Sequence, residues 1–105
     1  MLIEKFSFIN LLEEVYHGVA VEAISQNKNA KLFKNLPTKL EVGRYHSWVV
    51  NTKDFPEELE ITSLDSLGNI MSLQHQKYDI HGVQYHPESI LTPFGKQILE
   101  NFLLF

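Results

Sequence analysis

Phe94, Ile98 and Phe102 recur at four-residue intervals near the end of the chain, and Leu99 and Leu103 widen the stripe they make. Side chains at i, i+4 and i+8 share one face of an α-helix, and this is the one segment whose pattern is plainly helical. Thr92 is a good N-cap, and Pro93 after it fits the first helical position, where a missing N–H costs nothing. Burying the five apolar side chains contributes about 1.5–3 kcal/mol each, before the entropy cost of ordering them. Such a helix needs a sheet or another helix to cover, so the rest of the chain has to supply one.

What precedes it is β-prone. "VAVEAI" (19–24) suits a short strand, "LEVGRYHSWVV" (40–50) is rich in β-branched and aromatic residues, and "LEITSL" (59–64) is a cleaner strand. "DSLGN" separates that strand from another at 70–73, which predicts a hairpin, and a further strand is expected over 80–85. "NKNAKLFKNLP" holds a brief Leu32, Phe33, Leu36 cluster and stops at Pro37, reading as a helical turn or surface loop. With 105 residues, no internal repeat and no linker, the chain is expected to form one domain.

Composition excludes several classes of function. A net charge of −4 and a pI near 5.7 argue against a nucleic-acid surface as the main business. There is no cysteine, hence no disulfide framework, no thiolate zinc site and no thiol nucleophile within the chain. The opening "MLIEKFSFINLLEEVYHG" is interrupted by Glu4, Lys5 and Asn10 and does not read as a secretory signal. No apolar run approaches the ~18 residues of a membrane span. A cytoplasmic location, away from membranes, is the expectation.

The chemistry-bearing residues cluster where the last strand ends. In "GVQYHPES" (82–89), Val83 and Tyr85 alternate as in a strand before His86, Pro87 and Glu88 break the pattern. If the chain is extended there, His86 and Glu88 point the same way with Cα atoms roughly 7 Å apart. A carboxylate then accepts from one imidazole nitrogen, fixes the tautomer and leaves the other nitrogen to act as a general base. A polar strand end punctuated by proline explains the same residues without chemistry. A zinc deaminase would pair His-x-Glu with a downstream Pro-Cys-x-x-Cys, which is absent. The five histidines are scattered, and neither a metal nor a cofactor is expected. "GRYHSW" (43–48) is the second unusual stretch: it reads either as an amphipathic strand rim or as a loop for a small polar ligand. "YHG" (16–18) is a fainter third.

Taken in order, "YHG", "GRYHSWVV" and "GVQYHPESILTPFGKQILENFL" resemble the C-terminal half of a class I glutamine amidotransferase, over nearly the whole chain from about Glu14. The similarity is strongest to the small subunit of anthranilate synthase and to the glutaminase of aminodeoxychorismate synthase; residues 1–12 match loosely. The resemblance implies an α/β chain, the later part of a flavodoxin-like domain, strand-rich with a C-terminal amphipathic helix. It implies a Cys–His–Glu triad in which His86 moves the proton and Glu88 orients it. Tyr45, Ser47 and Trp48 become the glutamine-contacting positions, and the ammonia passes to a chorismate-acting synthase subunit. The chain departs from the pattern in having no cysteine and none of the first strands, so by itself it is not expected to be a competent glutaminase. A truncated product is the favoured explanation, against a split half that pairs with a separate N-terminal piece and a noncatalytic binding module. The resemblance implies the anthranilate, hence tryptophan, branch of chorismate use, with the 4-aminobenzoate branch leading to folate as the alternative.

Overall fold

The protein is seen in a computed structural model that describes residues 9–11, 18–27, 30–45, 48–50 and 52–104. Among these residues seven strands, β1 (Ile9–Leu11), β2 (Val19–Ser25), β3 (Lys39–Arg44), β4 (Trp48–Val50), β5 (Leu59–Leu64), β6 (Ile70–His75) and β7 (His81–Val83), precede one helix, α1 (Gly95–Leu104). A single 3-10 turn, Lys31–Phe33, sits between β2 and β3 where the sequence predicts a helical turn or loop. β1 and β4 form an antiparallel pair, and the other five strands form a sheet in the order β3-β2-β5-β6-β7, antiparallel at every described pairing.

The β5–β6 hairpin is where the sequence places it, and one side chain closes it. Asp65 Oδ1 accepts from the Leu67 and Asn69 amides at 2.9 and 2.8 Å, while Gly68 takes the left-handed conformation at φ +86°. The other oxygen, Oδ2, accepts from Asn69 Nδ2 at 3.0 Å and from the fully buried Arg44 Nη1 at 2.9 Å. A guanidinium taken out of water needs such a partner, so the turn is tied to the end of β3. Irregular pairing near Ser63 turns both Thr62 and Ser63 onto Ser72, whose hydroxyl bonds each of theirs inside the sheet.

Two apolar clusters fill the interior. One gathers Ala23, Leu32, Phe33, Leu40, Val42, Met71, Tyr85 and Ile98; the other holds Val50, Ile70 and Leu73, flanked by Phe55, Leu59, Ile61 and Leu64. β6 contributes to both, which is why it is buried along most of its length.

α1 departs from expectation at its start and on its apolar face. Thr92 does not cap it: the helix begins at Gly95, and the Thr92 hydroxyl is committed to backbone groups elsewhere. Of the five apolar side chains expected to be covered, only Ile98 is buried; Phe94, Leu99, Phe102 and Leu103 are exposed. The stripe that docks runs through Gly95, Ile98 and Asn101, because the helix lies against the 3-10 turn. Asn101 Nδ2 donates to the Leu32 and Lys34 carbonyls at 2.8 and 3.0 Å, and its Oδ1 accepts from Gln97 Nε2 at 2.9 Å. Replacing Asn101 with leucine keeps the size but strands two carbonyls, and is expected to destabilise the chain by about 2–3 kcal/mol. Urea denaturation measures this; an unchanged midpoint would show that the amide is not what docks the helix.

Candidate active site

The strand expected over 80–85 ends early, at Val83, because the chain turns inward. The Gln84 amide still donates to the Met71 carbonyl at 2.8 Å, but Tyr85 drops into the core at 3% exposure. Burial pushes its phenol well above the ordinary value of 10.0. His86 then crosses to the far edge of the sheet, where its amide donates to the Gly43 carbonyl of β3 at 3.0 Å.

From there residues 86–95 form a run of tight turns leading into α1. The His86 carbonyl accepts from the Ser89 amide at 3.1 Å, the Ser89 carbonyl from the Thr92 amide at 3.0 Å, and the Thr92 carbonyl from the Gly95 amide at 3.0 Å. The Thr92 hydroxyl staples this run to β3, donating to the His86 carbonyl at 2.7 Å and accepting from the Gly43 amide at 2.9 Å. Helix capping lost the competition for Thr92 because two buried backbone groups needed it more.

His86 and Glu88 meet: Nδ1 and Oε1 are 2.6 Å apart. The extended geometry expected for them is not what brings them together. They lie in a turn, and the short carboxylate arm reaches back to the ring. The imidazole is about one-third exposed and the Glu88 side chain two-thirds exposed, so the pair borders solvent. A hydrogen bond from the backbone N–H of Glu88, followed by that from His86, holds the Glu88 carboxyl below its ordinary value of 4.5. A carboxylate with a depressed value favours the folded arrangement above its unfolded value, and that contribution disappears as pH falls through the lower folded value. The Glu88 side-chain carboxyl, followed by carbon NMR, is therefore expected to titrate below its ordinary value of 4.5, and to move back toward it in His86→Ala, which removes one of its two hydrogen bonds. A Glu88 titration that is the same with and without the imidazole would mean that the two side chains do not hold each other.

Tyr45 touches the same imidazole. Its ring stands edge-on to His86, centroids 4.6 Å apart at 72°, and its hydroxyl is 2.7 Å from Ser89 Oγ. Ser89 Oγ also accepts from the Leu91 amide at 3.1 Å. The "GRYHSW" and "HPES" stretches are thus in direct contact. Ser47 lies outside the described residues, and Trp48 is placed only as backbone in β4. Among the described residues no three His, Asp or Glu side chains gather in a metal-holding group.

Three glycines make the arrangement possible. A Cβ on Gly95 would lie 1.7 Å from the Pro87 carbonyl oxygen, and one on Gly43 would press Leu91 Cβ at 2.9 Å and Ser89 Oγ at 3.0 Å. Gly18, from the faint "YHG" stretch, sits at φ +81° with its amide donating to the Arg44 carbonyl at 3.0 Å; a Cβ there would lie 2.6 Å from the Tyr45 ring. Sequence reading missed Gly43, Gly95, Ser89 and Thr92 as site-builders. Their spacing carries no signal, because each acts on a segment distant in the chain or in a neighbouring turn.

A strand edge, an imidazole held by a carboxylate and a tyrosine laid against it converge here. The chain belongs to the class I glutamine amidotransferases, whose family model matches residues 7–105. It is 45% identical over 92 residues to a Haemophilus influenzae protein assigned as anthranilate synthase component II, a match covering 88% of this chain and 47% of that protein. It is 49% identical over 73 residues to anthranilate synthase component 2 of Cyanophora paradoxa (69% of this chain, 38% of that one) and 38% identical over 90 residues to that of Methanothermobacter thermautotrophicus (86% and 45%). Among solved structures, a Thermoplasma acidophilum protein assigned as part of a GMP synthase superposes with a TM-score of 0.78 at 19% identity, covering 90% of this chain and 46% of that one. That likeness shows a shared fold. The chain spans about half the length, or less, of the relatives it matches. Among the described residues no helix is long and apolar enough to cross a membrane.

Proposed function

We propose that this chain supplies the acid–base half of a glutamine-hydrolysing site whose thiol comes from another polypeptide segment. The observation that carries the reading is the 2.6 Å contact between His86 Nδ1 and Glu88 Oε1, on a turn pinned to the edge of β3. With Nδ1–H donated to Glu88, the second ring nitrogen, Nε2, is the one that exchanges protons. A thiolate attacks the side-chain amide carbon of glutamine, and the imidazolium gives its proton to the departing nitrogen, releasing ammonia and leaving a thioester. Water then attacks the thioester carbon while His86 takes its proton; the C–S bond breaks, glutamate leaves and the thiolate is regenerated. Tyr45, Ser47 and Trp48 are the positions assigned to glutamine contact, with Tyr45 packing against the ring that does the chemistry.

The reading extends to ammonia delivery to a chorismate-acting synthase subunit, supported by relatives named as anthranilate synthase components. Without a cysteine, this chain forms no thioester and is inactive by itself. Mixing it with a polypeptide carrying the nucleophile half of a relative is expected to restore glutamine-dependent ammonia release, measured by coupled glutamate oxidation. Complexes that form without activity would remove the catalytic reading.

A further inference from the structure

At the opposite end of α1 from the His86 turn, a second polar cluster closes around Phe102. Lys31 Nζ donates to Asp79 Oδ2 at 2.7 Å and to the Phe102 carbonyl at 3.0 Å, and lies 5.3 Å from the centre of the Phe102 ring. His81 Nε2 is 2.7 Å from the other carboxylate oxygen, and its ring stands edge-on to Phe102 at 5.7 Å. Gln74 Oε1 accepts from the Lys31 amide at 3.3 Å, while its own amide donates to Glu60. The two basic side chains are largely covered, 17% exposed for Lys31 and 8% for His81, whereas Asp79 is 55% exposed on a surface turn. A cavity of about 320 Å3 adjoins them, with Lys77, Tyr78 and Gln74 also in its wall.

The Lys31 and His81 half of this cluster belongs to the packed structure, and the Asp79 half is an exchangeable side chain. We propose that Lys31 and His81 form a binding site for a phosphate group, occupied in the resting chain by the Asp79 carboxylate. A covered ammonium needs an anion beside it, and the two basic groups grip separate carboxylate oxygens at charge-assisted distances. The hydrogen bond from Lys31, then that from His81, holds the Asp79 carboxyl below its ordinary value, in keeping with a site that selects an anion. A phosphate dianion has a third oxygen to offer the cavity wall, where Lys77 supplies another cation. The titratable groups facing the site are Lys31, His81, Lys77, Asp79, His75 and Tyr78, with Glu60 held off behind the Gln74 amide. Because Lys31 also holds the Phe102 carbonyl, occupancy is felt by the last turn of α1. This inference is independent of the proposed catalysis.

The test is a nitrogen NMR titration of the chain with sodium phosphate against a sodium chloride control of matched ionic strength, reading the His81 ring and the amides of residues 100–104. Asp79→Asn removes the internal competitor and is expected to bind phosphate at least tenfold more tightly than the parent chain. Adding Lys31→Met to that variant is expected to abolish saturation. Lys77→Gln, a change at an exposed residue whose ammonium lies 5.4 Å from the centre of the Tyr78 ring, is expected to weaken binding severalfold. Phosphate is also expected to restore thermal stability lost in Asp79→Asn. Equal affinity in parent and Asp79→Asn chains overturns the proposal; so does an unsaturable response in Asp79→Asn, binding that survives Lys31→Met or ignores Lys77→Gln, or no thermal rescue.

Discussion

Gly95→Ala is expected to lower stability by about 3 kcal/mol or more, a large loss for one methyl group. The added carbon would sit 1.7 Å from the Pro87 carbonyl oxygen and 2.7 Å from its carbon, and the obstacle is backbone with no rotamer to escape through. Relief requires lifting α1 or displacing the 86–89 turn. The first breaks the Asn101 bonds to Leu32 and Lys34; the second breaks those from the His86 amide to Gly43 and from Thr92 to the His86 carbonyl. Gly68→Ala is the control: nothing lies within 4 Å of a Cβ there, so only the strain of φ +86° remains, about 1–2 kcal/mol. Urea denaturation followed by circular dichroism reads both. Losses of equal size would mean that Gly95 is needed for backbone freedom alone and that α1 does not press on the Pro87 turn.

His86→Ala, in a glutaminase reassembled from this chain and a thiol-bearing half, is expected to reduce kcat about a thousandfold, with a much smaller effect on KM. In the proposed mechanism the imidazole, held by Glu88, carries the proton, whereas its contribution to packing is limited by its exposure. The stability of the isolated chain should therefore change little, and that separates loss of chemistry from loss of fold. Glu88→Gln leaves the imidazole in place and is expected to cost less than His86→Ala. If His86→Ala retains full activity, the ring is not the proton carrier and the catalytic reading fails.

The two substitutions probe different kinds of information. His86 and Glu88 are two residues apart, and a local turn lets them meet whether or not the strand continues, so their pairing was legible even though the extended geometry assumed for it was not adopted. The β5–β6 hairpin was legible for the same reason: Asp65 and Gly68 carry the turn within a few residues. The contact of Tyr45 with His86 and Ser89 was visible only as two polar stretches without a stated relation, and the fold supplies that relation by laying the turn of residues 86–92 along the edge of β3.

The helix is the clearest case of partial legibility. Its existence followed from periodicity, but its buried face did not, because hydrophobic spacing identifies a stripe and not the neighbour that covers it. Here the described neighbour is a 3-10 turn offering carbonyls, so Asn101 docks while Leu99 and Leu103 face solvent. The sequence by itself determined β2, β5 and β6, the hairpin, the helix and the His–Glu pair, since each depends on residues within a turn or two of one another; β1 was not expected, the β-prone stretch 40–50 divides into β3 and β4, and the strand expected over 80–85 stops at Val83. Only tertiary structure decided that Thr92 staples instead of capping, that Gly43 and Gly95 have no room for a side chain, and that Asp79 fills a site built from Lys31 and His81. Those roles are set by groups brought together from distant parts of the chain, or by backbone passing within van der Waals contact, and neither leaves a periodic trace in the residues themselves.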